Sequence, residues 1–363
     1  MKPKYCFVLA SATILFVVLA ELPYSQAGQV TNGYKILAPI RQGNLTVFPV
    51  VASTSHPTED LLTLDEGLRS GEVVVTESGS IRPLVRRRPG TPVTLPGGGA
   101  QVNQLVLVNN SKRPLILLAG EIVTGGKQDR VIGKDRLVPA ESDPIDLGVF
   151  CVEPGRWVGT SVKFGSMSGA LAAPSVRAKA MSDKDQEKVW AEVRRSQAAT
   201  IAAMPSAAPL PPEVQTTTSY ARVMDNTAVQ KQVDSIAAPI ESSYRGLMKQ
   251  LRDRNAVGVV VAVNGELIWA DVFASTELLQ KYWPKLVRSY AAEAMTTPGN
   301  TRAPDEKAAQ AFLDNMQGRH EVSETEPGLY RHTEISGEGF KAFELTSLLP
   351  KMGFDVHIAK MAE

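Results

Sequence analysis

The sequence has 363 residues, with 39 lysines and arginines against 38 aspartates and glutamates, and a formal net charge of +1. This charge balance excludes a charged disordered tail. The chain also lacks the excess of basic residues that nucleic-acid-binding proteins have, so we expect no nucleic-acid partner. The hydrophobic fraction of 43% is that of an ordinary globular protein, and the length allows one large domain or two.

Residues 1–27 have the features of a secretory signal peptide. Lys2 and Lys4 precede a 16-residue apolar run, and small residues follow at Ser25 and Ala27. The run is shorter than the roughly 20 residues of a typical spanning helix, which favours cleavage after Ala27 over a retained anchor. We therefore expect a secreted or periplasmic protein without stable membrane insertion after cleavage, and a retained anchor is the alternative.

Cleavage there changes the charge and cysteine counts. It removes two lysines, one glutamate and Cys6, which leaves 37 basic residues, 37 acidic residues and Cys151 as the single cysteine. No disulfide can then form within the chain, and a free cysteine is usually buried. The mature domain, residues 28–363, must be held together by packing.

Residues 35–165 are predicted to be a β-rich half. Leu64–Arg69 predicts a short helix that Gly71 ends. The segments rich in β-branched and aliphatic residues, which are typical of strands, are 45–50, 73–76, 104–108, 114–118 and 145–152. Their close spacing favours antiparallel pairing, because a parallel crossover needs a dozen or more residues.

Residues 176–255 are predicted to form a helical segment. Its first helix runs from Ser182 to about Ala203, and the proline-rich stretch 204–219 is predicted to be an exposed linker. A second helix, which Pro239 is expected to kink, has its apolar residues three or four positions apart on one face. These residues are Val229, Val233, Ile236, Ile240, Tyr244, Leu247 and Leu251.

Residues 256–360 are predicted to be an α+β part with two hairpins. Asn264-Gly265 is typical of a tight primed turn in the first hairpin, and Ser275 is predicted to cap the next helix. A shorter helix is expected near Pro304. The predicted strands are 257–263, 267–273, 329–335, 340–345 and 355–359. The whole pattern indicates an α+β fold in which the three parts pack together.

Standard catalytic motifs are missing from the sequence. Glu121 stands where a phosphate-binding loop ending at Gly126-Lys127 needs a glycine, and Met167 occupies the nucleophile position of Gly165–Gly169. The four histidines have no spacing typical of metal ligands. The sequence thus predicts no metal site, and it leaves enzymatic activity, cofactor and oligomeric state open.

A first group of candidate site residues follows the strand at 114–118. A partly buried Glu121 can act as a general acid or base, and Lys127 and Arg130 can hold an anionic group with Gln128 beside them. The alternative is that Glu121 pairs with Lys127 or Arg130 and only fixes a hairpin turn.

A second group lies in the segment Glu153-Pro154-Gly155-Arg156-Trp157. Arg156 and Trp157 can stack on a planar ligand or bind an anion. In the alternative, Trp157 packs into the core and Arg156 bridges to Glu153. If both groups lie together, they predict a site for an anionic phosphate- or sugar-containing molecule, with hydrolysis as the first reaction to test. The alternative function is a non-catalytic binding or scaffolding module of the cell envelope.

The order of these segments resembles a known family. The segments are 45–50, 64–68, 120–130, 137–140, 151–157, 257–273 and 283–290. They are similar to the ARG and rhodanese-phosphatase-superfamily-associated domain over residues 35–355, most specifically at 127–130 and 153–157. The family is named for its neighbours, ADP-ribosylglycohydrolases and rhodanese-phosphatases, so the resemblance implies a link to nucleotide or ADP-ribose chemistry by association alone.

Overall fold

The computed structural model describes residues 33–80, 99–167, 169–206, 209–251, 254–297, 299, 304–324, 326 and 328–363. The predicted signal peptide lies outside these described residues. Within them, no helix is both long and apolar enough to cross a membrane.

Along the described chain, runs of several strands are followed by runs of several helices. The strands are β1 (Lys35–Ile36), β2 (Ile40–Gln42), β3 (Leu45–Ala52), β4 (Leu62–Thr63), β5 (Val73–Thr76), β6 (Gln104–Asn109), β7 (Leu115–Leu117), β8 (Ile122–Thr124), β9 (Arg130–Ile132), β10 (Arg136–Val138), β11 (Ile145–Cys151), β12 (Gly165–Ser166), β13 (Asn255–Val263), β14 (Glu266–Phe273), β15 (Arg319–Ser323), β16 (Tyr330–Gly337), β17 (Phe340–Ser347) and β18 (Asp355–Ala362). The α-helices are α1 (Leu64–Ser70), α2 (Pro174–Ala178), α3 (Gln186–Ala203), α4 (Pro212–Gln215), α5 (Tyr220–Met224), α6 (Thr227–Gln250), α7 (Thr276–Thr296) and α8 (Glu306–Asp314), with a π-helical segment at Lys179–Asp183. These elements confirm the predicted α+β class.

The β-rich half contains two small sheets. One has six strands in the order β12-β8-β9-β11-β6-β5, and the other has three in the order β10-β7-β4. Their pairings are antiparallel except for β4, which runs parallel to β7. Aliphatic side chains from both sheets, such as Leu107, Leu117 and Leu147, form a shared core. Burying these side chains is the main force that holds this half together.

A nine-stranded sheet begins with strands of the N-terminal part and continues through the C-terminal part. Its order is β1-β3-β13-β14-β18-β17-β16-β15, with β2 paired to β3. Every residue of β3 is buried, because α6 and α7 cover one face of this region and α8 covers the other. On the first face, the rings of Tyr244 from α6 and Trp283 from α7 lie 4.5 Å apart.

Local signals set several element ends as expected. Thr63 and Glu66 form a reciprocal capping box at the start of α1, and Gly71 ends it with a left-handed φ of 70°. In the β13–β14 turn, Asn264 and Gly265 have φ values of 56° and 87°, as a primed turn requires.

The helical segment differs from its sequence prediction at two places. Asp185, rather than Ser182, caps α3, because the preceding residues form α2 and the π-helical segment. The described part of 204–219 contains the short helix α4, and Leu210 and Val214 there are buried. Helix α6 continues through Pro239 to Gln250, and the kink at Pro239 stays a prediction. The chain from Gly33 to Glu363 forms one compact unit.

Candidate functional site

The loop between β8 and β9 and the loop after β11 meet at one end of the strands of the six-stranded sheet. They meet because β9 and β11 are antiparallel neighbours, with Arg130 paired to Cys151. The Asp129 amide donates a hydrogen bond to Glu153 Oε2 at 3.0 Å, and Gln128 Nε2 donates one to the Glu153 carbonyl at 3.1 Å. The structure therefore brings together six of the seven predicted site residues, here called the Trp157 cluster. They are Lys127, Gln128, Arg130, Glu153, Arg156 and Trp157.

Two glycines allow the β8–β9 turn to sit close to its neighbours. Gly125 and Gly126 have φ values of 121° and 50°, which favour glycine. A Cβ atom on Gly126 would lie 2.1 Å from the Phe164 ring and 2.9 Å from Glu77 Oε1. Close approach of this turn to Phe164 and Glu77 thus depends on the absence of a side chain.

Arg156 holds the two loops in position. Its guanidinium donates hydrogen bonds to the Gly126 carbonyl at 3.0 Å and to Glu153 Oε2 at 2.5 Å. It also lies 3.5 Å from Asp129 Oδ1. Its hydrogen bond to Glu153 raises the pKa of Arg156. With its donors used in this way, Arg156 orients the cluster, and the predicted Glu153–Arg156 bridge is present.

Arg130 is completely buried, yet it has few partners. Its two terminal nitrogens donate long hydrogen bonds of 3.4 Å to the carbonyls of Asp129 and Gln101. Its Nε atom has no partner, and it forms no ion pair with any residue that the structure describes. Burial lowers the pKa of Arg130, although a guanidinium stays charged at neutral pH. A buried charge without a direct ion pair is costly even with the carboxylates of Glu77 and Asp129 nearby, which makes Arg130 the strongest candidate for binding an anion.

Lys127 and Arg130 both lie over the ring of Trp157. Lys127 Nζ is 4.8 Å from the centre of the indole, and the guanidinium carbon of Arg130 is 5.9 Å from it. The Trp157 ring is 42% exposed, so it is not the core tryptophan of the alternative interpretation. An accessible aromatic ring close to two cations can stack on a ligand while the cations attract its negative charge.

Sequence reasoning missed three residues that complete the cluster. Glu77 Oε1 accepts a hydrogen bond from the Lys127 amide at 2.8 Å, and Ser219 Oγ donates to Asp129 Oδ2 at 2.8 Å. Burial and then Glu153 raise the pKa of Asp129. Glu77 directly follows β5 and Ser219 caps α5, and only the charged run 127–130 offered a signal, for Asp129.

The Trp157 cluster and its neighbours contain buried polar atoms without partners. Among described side chains, these atoms are Glu77 Oε2, Ser78 Oγ, Gln128 Oε1 and Arg130 Nε. Native proteins rarely bury many such atoms without a ligand or water to satisfy them. The set offers acceptors and donors, as a ligand with hydroxyls and a negative charge requires.

Glu121 lies at the opposite end of β8 from Lys127, in a separate environment. Its Oε2 accepts a hydrogen bond from the Leu118 amide at 2.9 Å, and its Oε1 is 3.3 Å from Lys285 Nζ. Lys285 also pairs with Asp65 at 2.8 Å. Burial raises the pKa of Glu121 to about 7, against the opposing effect of Lys285. Glu121 thus pairs with neither Lys127 nor Arg130, and its carboxyl is 99% shielded.

The described residues contain no group of three or more histidine, cysteine, aspartate or glutamate side chains arranged to hold a metal ion. Cys151 is buried and unpaired with another cysteine. Burial raises the pKa of the Cys151 thiol, which disfavours its reactive thiolate.

A comparison with family models gives one match over nearly the whole described chain. The ARG and Rhodanese-Phosphatase-superfamily-associated Protein domain matches residues 33–359. The match confirms the resemblance that the ordered segments indicated. No curated protein and no solved structure gives a significant match.

Proposed function

The chain belongs to the ARG and rhodanese-phosphatase-superfamily-associated protein family, and we propose that it binds a small anionic, phosphate- or sugar-containing molecule at the Trp157 cluster. The observation that carries this proposal is the buried Arg130 guanidinium, which has no ion-pair partner among described residues and lies, like Lys127 Nζ, over an exposed indole. A phosphate group would supply a direct counter-charge.

The unpartnered oxygens support a ligand that also carries hydroxyl groups. Glu77 Oε2 and Gln128 Oε1 are acceptors and need donors. Sugar hydroxyls are donors, and the faces of sugar rings or bases pack on exposed aromatic rings such as Trp157. A sugar phosphate combines these properties in one small molecule.

We also propose that the protein hydrolyses the bound compound. Here the suitable carboxylate is Glu77, which has an unpartnered Oε2 beside the cluster, rather than Glu121. With a phosphate monoester, the oxygen of water would bond to phosphorus and the bond to the sugar oxygen would break. Glu77 Oε2 would take the proton from water, and the sugar oxygen would take one from solvent.

The binding test uses ribose 5-phosphate, with inorganic phosphate and ribose as separate probes. We expect ribose 5-phosphate to change the tryptophan fluorescence, because Trp157 is the exposed indole among the described tryptophans. Titration calorimetry should give tighter binding for ribose 5-phosphate than for either component. ADP-ribose extends the series, since its adenine can stack on Trp157.

Matched variants assign the response to the cluster. We expect Lys127→Met to weaken binding about tenfold, as the loss of one charge-assisted hydrogen bond would. Lys112→Met removes an exposed lysine in the β6–β7 loop and should leave binding unchanged. Absence of saturable binding by all four probes at millimolar concentration would contradict the proposal.

Activity is tested by phosphate release from ribose 5-phosphate. We expect Glu77→Gln to abolish release while binding persists, whereas Glu121→Gln retains it. Binding without release by the wild-type protein would reject hydrolysis and leave binding as the function.

One observation favours the second candidate function, a non-catalytic binding or scaffolding module of the cell envelope. The large exposed hydrophobic residues in the described chain are Trp157, Val158, Val162 and Val322, and three of them lie in the loop 157–162. Adjacent exposed apolar side chains often mark a contact with another macromolecule. A double variant, Val158→Ser with Val162→Ser, should keep ribose 5-phosphate binding under the first proposal. Loss of pull-down partners without loss of sugar-phosphate binding would favour the scaffolding role.

We further propose export, with cleavage after Ala27, from the charged and apolar pattern of residues 1–27. Intact-mass analysis of the protein purified from its native host should give a chain that begins at Gly28. A chain that keeps residues 1–27 would contradict this expectation.

A further inference from the structure

A second polar cavity lies away from the Trp157 cluster. It has a volume of about 190 Å³, many times what one water molecule needs. Its walls come from the β9–β10 turn, the π-helical segment and the strands β15, β16 and β17, of which β15 is the edge strand. We call it the Lys134 cavity. These walls join the small sheets to the edge of the large sheet.

The acidic side chains that line the cavity already have partners. Glu334 accepts a hydrogen bond from Lys184 Nζ at 2.6 Å, and Glu321 pairs with Arg319. The charge of these two carboxylates is therefore offset by neighbouring cations. Because Glu334 and Glu321 are already paired, they do not neutralise a further positive charge in the cavity.

Lys134 supplies that positive charge. Its Nζ donates a hydrogen bond of 3.3 Å to the Ser323 hydroxyl and lies 5.8 Å from the centre of the Tyr330 ring. Among the described residues it forms no ion pair. Burial, followed by Arg136, lowers the pKa of Lys134, so its charge is held at a cost. A bound anion would reduce that cost.

His332 adds a second polar group without a partner. It is 6% exposed, and its Nε2 atom has no hydrogen-bond partner although its side chain lines the cavity. Burial, and then Lys134, lower the pKa of His332 to about 4, so the ring is neutral at pH 7. A neutral imidazole with its proton on Nε2 can donate one hydrogen bond to a ligand.

The remaining lining selects among anions. Met181, Val322 and Phe343 give the cavity apolar walls. A phosphate ion would leave these walls in contact with water, whereas a short aliphatic chain would cover them. The π-helical segment that carries Met181 is also typical of functional sites.

From this geometry we propose that the Lys134 cavity binds a small organic carboxylate with a short apolar part, whose carboxylate contacts Lys134 Nζ and His332 Nε2. The apolar part would pack on Met181, Val322 and Phe343. This site is independent of the Trp157 cluster, and its failure would not affect the function proposed there.

Butanoate is the probe for this proposal, and histidine-selective NMR is the readout. We expect butanoate to shift the His332 ring resonances, which the spectrum of His332→Gln identifies. Lys134→Met should weaken butanoate binding about tenfold or more, because it removes the cation that contacts the carboxylate. Val322→Ser, an exposed substitution that should not disturb folding, is expected to weaken it severalfold.

Lys127→Met is the matched control, because it removes a lysine of the other site. It should leave the butanoate titration unchanged, and butanoate should leave the Trp157 fluorescence unchanged. Unshifted His332 resonances, equal weakening by Lys127→Met, or a shift of the His332 resonances by phosphate at concentrations as low as those of butanoate would each overturn the proposal.

Discussion

At the residue scale, Glu121 is fully buried and has a single cationic neighbour, Lys285. Desolvation raises its pKa to about 7, from 4.5, even though Lys285 favours the charged form. The folded protein therefore binds this proton more tightly than the unfolded chain does. Because of this difference, ionisation of Glu121 reduces stability as the pH rises from about 4.5 to about 7.

We predict that Glu121→Gln gains stability relative to the wild-type protein as the pH rises from 5 to 8. The gain should reach up to about 3 kcal/mol, because the glutamine has no charge to desolvate. Urea denaturation at several pH values measures it. Glu338→Gln, in the exposed β16–β17 turn, should follow the wild-type curve. A constant difference between Glu121→Gln and wild type would show that Glu121 does not titrate in this range.

The β8–β9 turn is the element that positions the Trp157 cluster. Gly126→Ala would place a methyl group against Phe164 and Glu77 at a left-handed φ, so we predict a loss of about 1–3 kcal/mol. Ribose 5-phosphate binding should weaken as well. Gly148→Ala adds a methyl group in β11 with no atom within 4 Å, and it should leave denaturation and binding unchanged. Equal effects of the two variants would contradict this role of the turn.

Helix α7 depends on its amino-terminal cap. Ser275 Oγ accepts a hydrogen bond from the Leu278 amide at 3.0 Å and lies 2.5 Å from Thr58 Oγ1. We predict that Ser275→Ala lowers the free energy of unfolding by about 1 kcal/mol, because a buried amide loses its acceptor. Ser235→Ala, at an exposed position inside α6, should have no such effect in the same denaturation experiment. A loss below the experimental error would show that Thr58 or water replaces the cap.

At the scale of the whole molecule, a buried ionic network joins the small sheets to the large one. His357 of β18 lies 2.6 Å from Asp135 and 3.1 Å from Asp271, and Arg177 pairs with Asp271 at 3.0 Å. Tyr290 donates a hydrogen bond to the same aspartate. Burial alone would lower the pKa of His357, but the two aspartates raise it to about 9. They therefore favour the charged imidazolium in the folded protein.

This network predicts a pH dependence of folding. The stability that protonated His357 contributes is complete below pH 6.5 and is lost as the pH rises to about 9. We expect the thermal midpoint of the wild-type protein to fall over that window. His357→Gln should cost about 3–5 kcal/mol at pH 6, because it leaves the aspartates with one cation fewer, and it should flatten the fall. A wild-type midpoint that stays constant from pH 6.5 to 9 contradicts a charged His357.

Elements and their ends were largely predictable because their signals are local. Thr63 and Gly71 around α1, the Asn264-Gly265 turn and the apolar face of α6 each act through residues a few positions away. The predicted start of α3 at Ser182 was wrong, because Ala180 and Met181 of the preceding π-helical segment pack into the main core and Asp185 caps α3 instead. The sequence predicted a ligand site only if the segments 127–130 and 153–157 lie together, and the pairing of β9 with β11 brings them together.

The sequence by itself determined the α+β class through its local periodicity, the family through its ordered motif segments, and which residue types could bind an anion through side-chain chemistry. Only the tertiary structure decided which partner each charge would take. Glu121 meets Lys285 of α7 instead of a neighbour in its own loop, and Glu77 and Ser219 reach the Trp157 cluster from distant elements. These partners depend on how the strands pair and on which buried charges lie within a few ångströms of each other. Neither property can be read from a local sequence pattern.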